Sequence, residues 1–105
     1  MLPDNGLSGS LPGDVFTALS DLTEIDLRDN QLTGPLPVEL CTLAHLEGLY
    51  LYENRLTGDI PLGFVEEPVR GNLTGLFLFN NNFRNVYEAR SLFQAKLRDD
   101  CYIYV

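Results

Sequence analysis

A repeat of 24 residues constrains this chain more than any other feature. Leu22, Ile25, Leu27, Asn30, Leu32, Gly34, Leu36 and Pro37 recur as Leu46, Leu49, Leu51, Asn54, Leu56, Gly58, Ile60 and Pro61. Upstream, Asn5, Leu7, Gly9, Leu11 and Pro12 repeat the second half of the unit, one residue off that spacing. Downstream, Leu73, Leu76, Leu78, Asn81 and Phe83 repeat its first half after a step of 27 residues. Two full units thus lie between partial ones. A unit this short cannot bury its own apolar face, so it must stack on its neighbours into a continuous core.

Within each unit the apolar residues alternate with a period of two, which predicts a short strand with one face inward. Ile25 and Leu27, Leu49 and Leu51, and Leu76 and Leu78 then point into the core, and one strand per unit stacks into a parallel sheet. Asn5, Asn30, Asn54 and Asn81 fall where the chain leaves the strand. A buried asparagine there can satisfy main-chain groups that the turn strands, so these four are read as structural. Gly9, Gly34 and Gly58 permit tight turns, and Pro12, Pro37 and Pro61 fix the chain where the opposite side begins.

The spacing L-x-x-L-x-L-x-x-N-x-L is that of leucine-rich repeats, and the Leu/Ile-Pro that follows Thr-Gly resembles the plant-type subclass, also common in algal proteins. Departures are the missing first half of unit one, a longer third unit and the loss of Gly-x-Ile-Pro after Phe83. The resemblance implies an α/β solenoid with a short parallel sheet on the concave face and an irregular or short-helical convex side. It also implies a protein-, peptide- or glycan-binding module of the kind found in ectodomains of plant receptor-like proteins and in small secreted inhibitors. An extracellular or membrane-receptor setting follows from the same resemblance.

The repeats are expected over residues 1–83 and a C-terminal cap over 84–105. Between Pro61 and Leu73 the connection is three residues longer and carries Glu66, Glu67, Pro68 and Arg70, which predicts a bulged, solvated loop. Val86, Ala89, Leu92, Phe93 and Leu97 then fall at helical spacing, predicting a helix from about Val86 to Arg98 with Asn85 as N-cap and Glu88 three residues on. Cys101 to Val105 alternates like a strand, a degenerate last unit that covers the apolar end of the stack. At the other end Met1 and Leu2 supply only part of a strand, which would leave Ile25 and Leu27 without a full neighbouring strand on that side, an open parallel edge over an apolar core. The expectation is a piece of a longer array, with self-association through this edge as the alternative.

Composition excludes some functions. The net charge of −8 disfavours a nucleic-acid partner, and no apolar run reaches membrane-spanning length. The acidity is uneven, with twelve acidic residues against three arginines up to residue 83, and three against four basic residues beyond it. Cys41 and Cys101 lie two repeats apart and are expected as free thiols. Cys41 and His45, four residues apart, suggest a thiol–imidazole pair or half a metal site, but no third ligand or oxyanion arrangement accompanies them. No enzyme, metal or cofactor is expected. Asn72-Leu73-Thr74 is a sequon, making Asn72 the glycosylation candidate.

The outward strand positions hold the binding candidates. They are Glu24, Asp26 and Arg28 on one strand; Gly48, Tyr50 and Tyr52 on the next; Gly75, Phe77 and Phe79 on the third; and Tyr102 and Tyr104 in the tail. Strands about 4.8 Å apart bring these rings into two columns bordered by charge, an aromatic surface suited to a peptide, protein or glycan. The competing reading is a ladder of rings that merely stabilises a structural scaffold. An ice-binding scaffold would need a flat face of regularly spaced Thr or Ser, and these strands show none.

Overall fold

The computed structural model describes residues 5–105, which form two parallel sheets joined by short helices. Strands β1 (Ser8–Ser10), β3 (Gln31–Pro35) and β5 (Arg55–Thr57) make one sheet, in the order β1-β3-β5. Strands β2 (Glu24–Asp26), β4 (Gly48–Tyr50), β6 (Gly75–Phe77) and β7 (Tyr102–Tyr104) make the other, in the order β2-β4-β6-β7. The concave sheet keeps the repeat register throughout: Ile25 pairs with Leu49, Leu49 with Leu76, and Leu76 with Ile103.

The second sheet departs from the expected single sheet with glycine turns. Gly9 and Gly34 sit inside paired strands and Gly58 directly after one, at φ 89°, 78° and 75°. Their left-handed main chain bends each strand without breaking its pairing. A methyl on Gly34 would also stand 3.1 Å from the Ser10 Cβ of the neighbouring strand. On the convex side, Pro12 precedes helix α1 (Gly13–Ala18), while Pro37 and Pro61 precede 3-10 turns at Val38–Thr42 and Leu62–Val65.

Equivalent apolar residues of successive repeats stack as columns, and all of them are buried: Ile25, Leu49 and Leu76; Leu27, Leu51 and Leu78; Leu32 and Leu56; Leu36 and Ile60; Leu40 and Phe64. Asparagines run beside these columns. Asn54 Nδ2 donates to the carbonyls of Leu27 and Leu51, and its Oδ1 accepts from the Leu32 amide. Asn81 does the same one repeat on, donating to Leu51 and Leu78 and accepting from Leu56. Asn30 Oδ1 accepts from the amides of Asn5 and Leu7. Asn5 differs from its expected role: its side chain is exposed, and it joins this network through its main-chain amide. The turn itself lies one residue before each asparagine, where Asp29, Glu53 and Asn80 take left-handed φ values of 57°, 59° and 57°. Asp and Asn tolerate that conformation better than most side chains.

The lengthened connection is only partly the solvated loop the charges suggest. Glu66, Glu67 and Arg70 are exposed, but Val69 is fully buried and opens a 3-10 turn at Val69–Gly71 that closes the third repeat. Helix α2 (Val86–Lys96) ends short of Arg98 because Leu97 is already extended. Arg98 instead donates to the carbonyls of Gly71 and Leu73. Asn85 precedes the helix without capping it through its side chain. Its amide exchanges two hydrogen bonds with the main chain of Ile60, 25 residues back, at 2.7 and 3.0 Å. Phe93 of α2 meets Phe64 edge-on, with ring centres 6.1 Å apart, and both are fully buried.

Met1 and Leu2 lie outside the described residues. Ile25 and Leu27 are nonetheless buried, at 0% and 8% exposure, in a cluster that also contains Leu7, Phe16 and Leu22. Among the described residues β2 is an edge strand of its sheet, as expected, paired only with β4, while Phe16 of α1 belongs to the same buried core.

Candidate functional site

The concave sheet brings the outward residues together in register, with Asp26 beside Tyr50, Tyr50 beside Phe77, and Phe77 beside Tyr104. Tyr50 and Phe77 stack with centres 4.9 Å apart and planes 6° from parallel, and Phe77 and Tyr104 follow at 5.4 Å and 14°. A second column stacks Tyr52 on Phe79 at 4.6 Å and 9°. Parallel strands force these distances, since side chains in register repeat at the strand spacing. Each stacked pair adds about 0.5–1.5 kcal/mol beyond the area it buries.

Tyr102 is not part of either column. It pairs in register with Gly75, which has no side chain to stack on, and it is 64% exposed. The row Glu24, Gly48, Gly75 and Tyr102 has a different use: the glycines make room for the rings beside them. A methyl on Gly48 would collide with the Glu24 carboxylate and stand 2.8 Å from a Tyr50 ring carbon, and one on Gly75 would stand 2.6 Å from a Phe77 ring carbon. Both glycines are buried beneath the ring edges. Gly75→Ala is expected to push Phe77 out of both its stacks and to destabilise the fold by about 1–3 kcal/mol, as overpacking does. The check is a melting curve in the native and Phe77→Ala backgrounds, where the second background should remove most of the loss.

Arg28, Tyr50, Tyr52, Phe77, Phe79 and Tyr104 enclose a shallow apolar groove of about 330 Å³. Arg28 closes one end of it, with its guanidinium 3.3 Å from the Asp26 carboxylate. The Asp26 charge, and then a hydrogen bond with Tyr52, hold Arg28 in its ionised form even more firmly than usual. Partial burial pushes the Tyr50 phenol up, with the Glu24 and Asp26 carboxylates adding to it. Glu24 is raised in turn by partial burial and by the negative charges of Glu47 and Asp26. At neutral pH the groove therefore carries a neutral Tyr50 phenol and one fixed cation beside an acidic border.

The other candidates lie elsewhere. Asn72 is exposed, but its Nδ2, the atom a glycan would bond, donates to the Ala44 carbonyl at 2.8 Å. Cys41 and Cys101 are free thiols. Burial pushes Cys41 up to about 11, which suppresses the thiolate that a nucleophile needs. Among the described residues no group of three His, Cys, Asp or Glu side chains is arranged to hold a metal ion. No helix among them is long and apolar enough to cross a membrane.

Residues 1–56, over half the chain, match the family model of the leucine-rich repeat. The chain belongs to the leucine-rich-repeat family. It is 42% identical over 60 residues to a probable inactive receptor kinase of Arabidopsis thaliana, a match that takes in 57% of this chain and 9% of that protein. Among solved structures it resembles a chain of the BIR3–SERK2 complex from Arabidopsis thaliana, with TM-score 0.77 and 28% identity over 97% of this repeat chain and 51% of that one. A plant ice-binding protein is similar too, with TM-score 0.79 and 26% identity over 99% of this chain and 32% of that one. The leucine-rich-repeat chain thus spans a small part of the receptor and a third to a half of these structures. Its solenoid resembles those of plant receptor ectodomains.

Proposed function

We propose that this chain is a non-catalytic binding module, extracellular like the receptor ectodomains it resembles, whose concave aromatic groove engages a protein or peptide partner. One observation carries the reading: six residues from four neighbouring strands or their ends converge on one apolar groove. Phe77 and Phe79 have no polar tip for water, and a surface that holds such rings in a cleft favours a partner that covers them. Arg28 and the acidic border supply orientation, since charge at a rim sets register more than affinity. A similar chain found in a complex of two proteins is consistent with this use of the fold.

Stacking alone would also hold the rings, so the test must separate stability from recognition. Phe79→Ser removes the end of the two-ring column, while Phe77→Ser removes the centre of the three-ring column. Immobilised chain and both variants are compared by melting and by capture of partners from a native extract. Phe79→Ser is expected to stay folded and lose the captured partner; Phe77→Ser is expected to lose both. Undiminished capture by folded Phe79→Ser would refute the groove as binding face and leave the ladder purely structural.

A second reading gains something from the sheet β1-β3-β5, which the sequence pattern did not reveal. Ser8, Ser10, Thr33 and Thr57 are exposed on it, and a structural neighbour is an ice-binding protein. The hydroxyl array is interrupted, however, because Gln31 pairs with Ser8 and Arg55 with Thr33. Ice-recrystallisation assays on the same protein distinguish the two readings.

A further inference from the structure

We propose that the occupant of the groove is a proline-rich segment in the polyproline II conformation. This rests on the groove being the binding face and narrows what it binds. Every ring of the groove spends at least one face on a stack: Phe77 is covered on both sides by Tyr50 and Tyr104, while Tyr52 and Phe79 each cover one face of the other. A sugar ring binds aromatics by lying on an open face. Here a ligand meets ring edges instead, arranged as two parallel ridges with a slot between them. Ridges of this kind accept proline rings, as aromatic-lined grooves do in other recognition modules.

Polar chemistry points the same way. The main-chain carbonyls of all five ring-bearing residues of the groove already accept amides from the preceding strand or its end. Tyr50 takes Leu27, Tyr52 takes Asp29, Phe77 takes Leu51, Phe79 takes Glu53 and Tyr104 takes Leu78. The side chains that line the groove add donors, namely the tyrosine hydroxyls, which can also accept, and the Arg28 guanidinium, whose five N–H groups exceed what its ion pair with Asp26 and its hydrogen bond with Tyr52 use. A polyproline II helix is the complementary partner, since its carbonyls are free of internal hydrogen bonds and its proline nitrogens carry no hydrogen that needs an acceptor. The lengths agree as well. Two strand spacings along the three-ring column cover about 10 Å, and one polyproline II turn of three residues advances about 9 Å. The ligand is already ordered before it binds, so little of its freedom is lost on a shallow surface.

The experiment titrates the full chain with a blocked decaproline peptide, a length-matched Leu/Ser peptide without proline, and cellohexaose. The chain has no tryptophan and three of its five tyrosines line the groove, so tyrosine fluorescence follows binding, and ring-proton NMR shifts assign the site. Decaproline should bind saturably and shift the Tyr52, Phe77 and Tyr104 ring signals. Tyr52→Phe and Tyr104→Phe, which keep the rings and lose a hydroxyl donor, should each weaken it roughly three- to tenfold without changing the melting temperature. Leu/Ser peptide shifting the same rings as strongly as decaproline would overturn the proline preference while leaving the groove a binding face. Stronger binding of cellohexaose would overturn it in favour of a glycan. If no probe perturbs the rings, or if the hydroxyl deletions leave decaproline binding intact, the assignment is wrong.

Discussion

Deletion of residues 86–105 is expected to abolish cooperative melting and to make the chain aggregate. β7 covers the open edge of β6, and Phe93 of α2 seals Phe64, which is otherwise the end of the convex stack. Ala89, Phe93, Leu97, Cys101 and Val105 are buried on the cap side of this contact. Without them Phe64, Leu73, Leu76 and Leu78, all now at 1% exposure or less, face water on one side. Fully exposing an apolar side chain of this size costs about 1.5–3 kcal/mol. Even partial exposure of four rivals the roughly 5–15 kcal/mol by which a whole domain is stable. Circular dichroism melting with light scattering checks this, and an unchanged melting temperature and solubility would remove the capping role.

Asn54→Ala is expected to be the most damaging single polar substitution, at about 1–3 kcal/mol, the cost of a buried group left unsatisfied. Its amide serves two repeats at once. The Leu27 and Leu51 carbonyls each lose one donor but keep Asn30 and Asn81, whereas the buried Leu32 amide loses its acceptor 22 residues away. Asn5→Ala provides the control, since an exposed side chain away from the core should change stability by about 0.5 kcal/mol or less. Urea unfolding of both variants settles the comparison; equal losses would show that the buried asparagine amides contribute no more than an exposed one.

Alternation of two in the sequence was enough to place Tyr50, Tyr52, Phe77, Phe79 and Tyr104 outward and their leucine neighbours inward, because strand side chains have no other choice of face. It did not show that Tyr102 stands apart. That depends on which residue lies opposite, and Gly75 offers no ring. Nor did it show why Gly48 and Gly75 are glycines, since the neighbouring ring edges that need the space are visible only once the side chains are placed. Asn85 has the local pattern of an N-cap, yet its side chain serves Ile60, a residue 25 positions away that no local pattern can point to.

The repeat spacing by itself determined the solenoid, the concave strand register and the columns of core leucines. Each is a consequence of identical units that can bury their apolar face only against one another. Tertiary structure alone decided the second sheet, whose Ser-Gly-Ser and Leu-Thr-Gly segments carry weak strand preference and pair because stacking holds them about 4.8 Å apart. It also decided the burial of Val69 and the shape of the groove, since both depend on how side chains from different repeats meet rather than on any one segment.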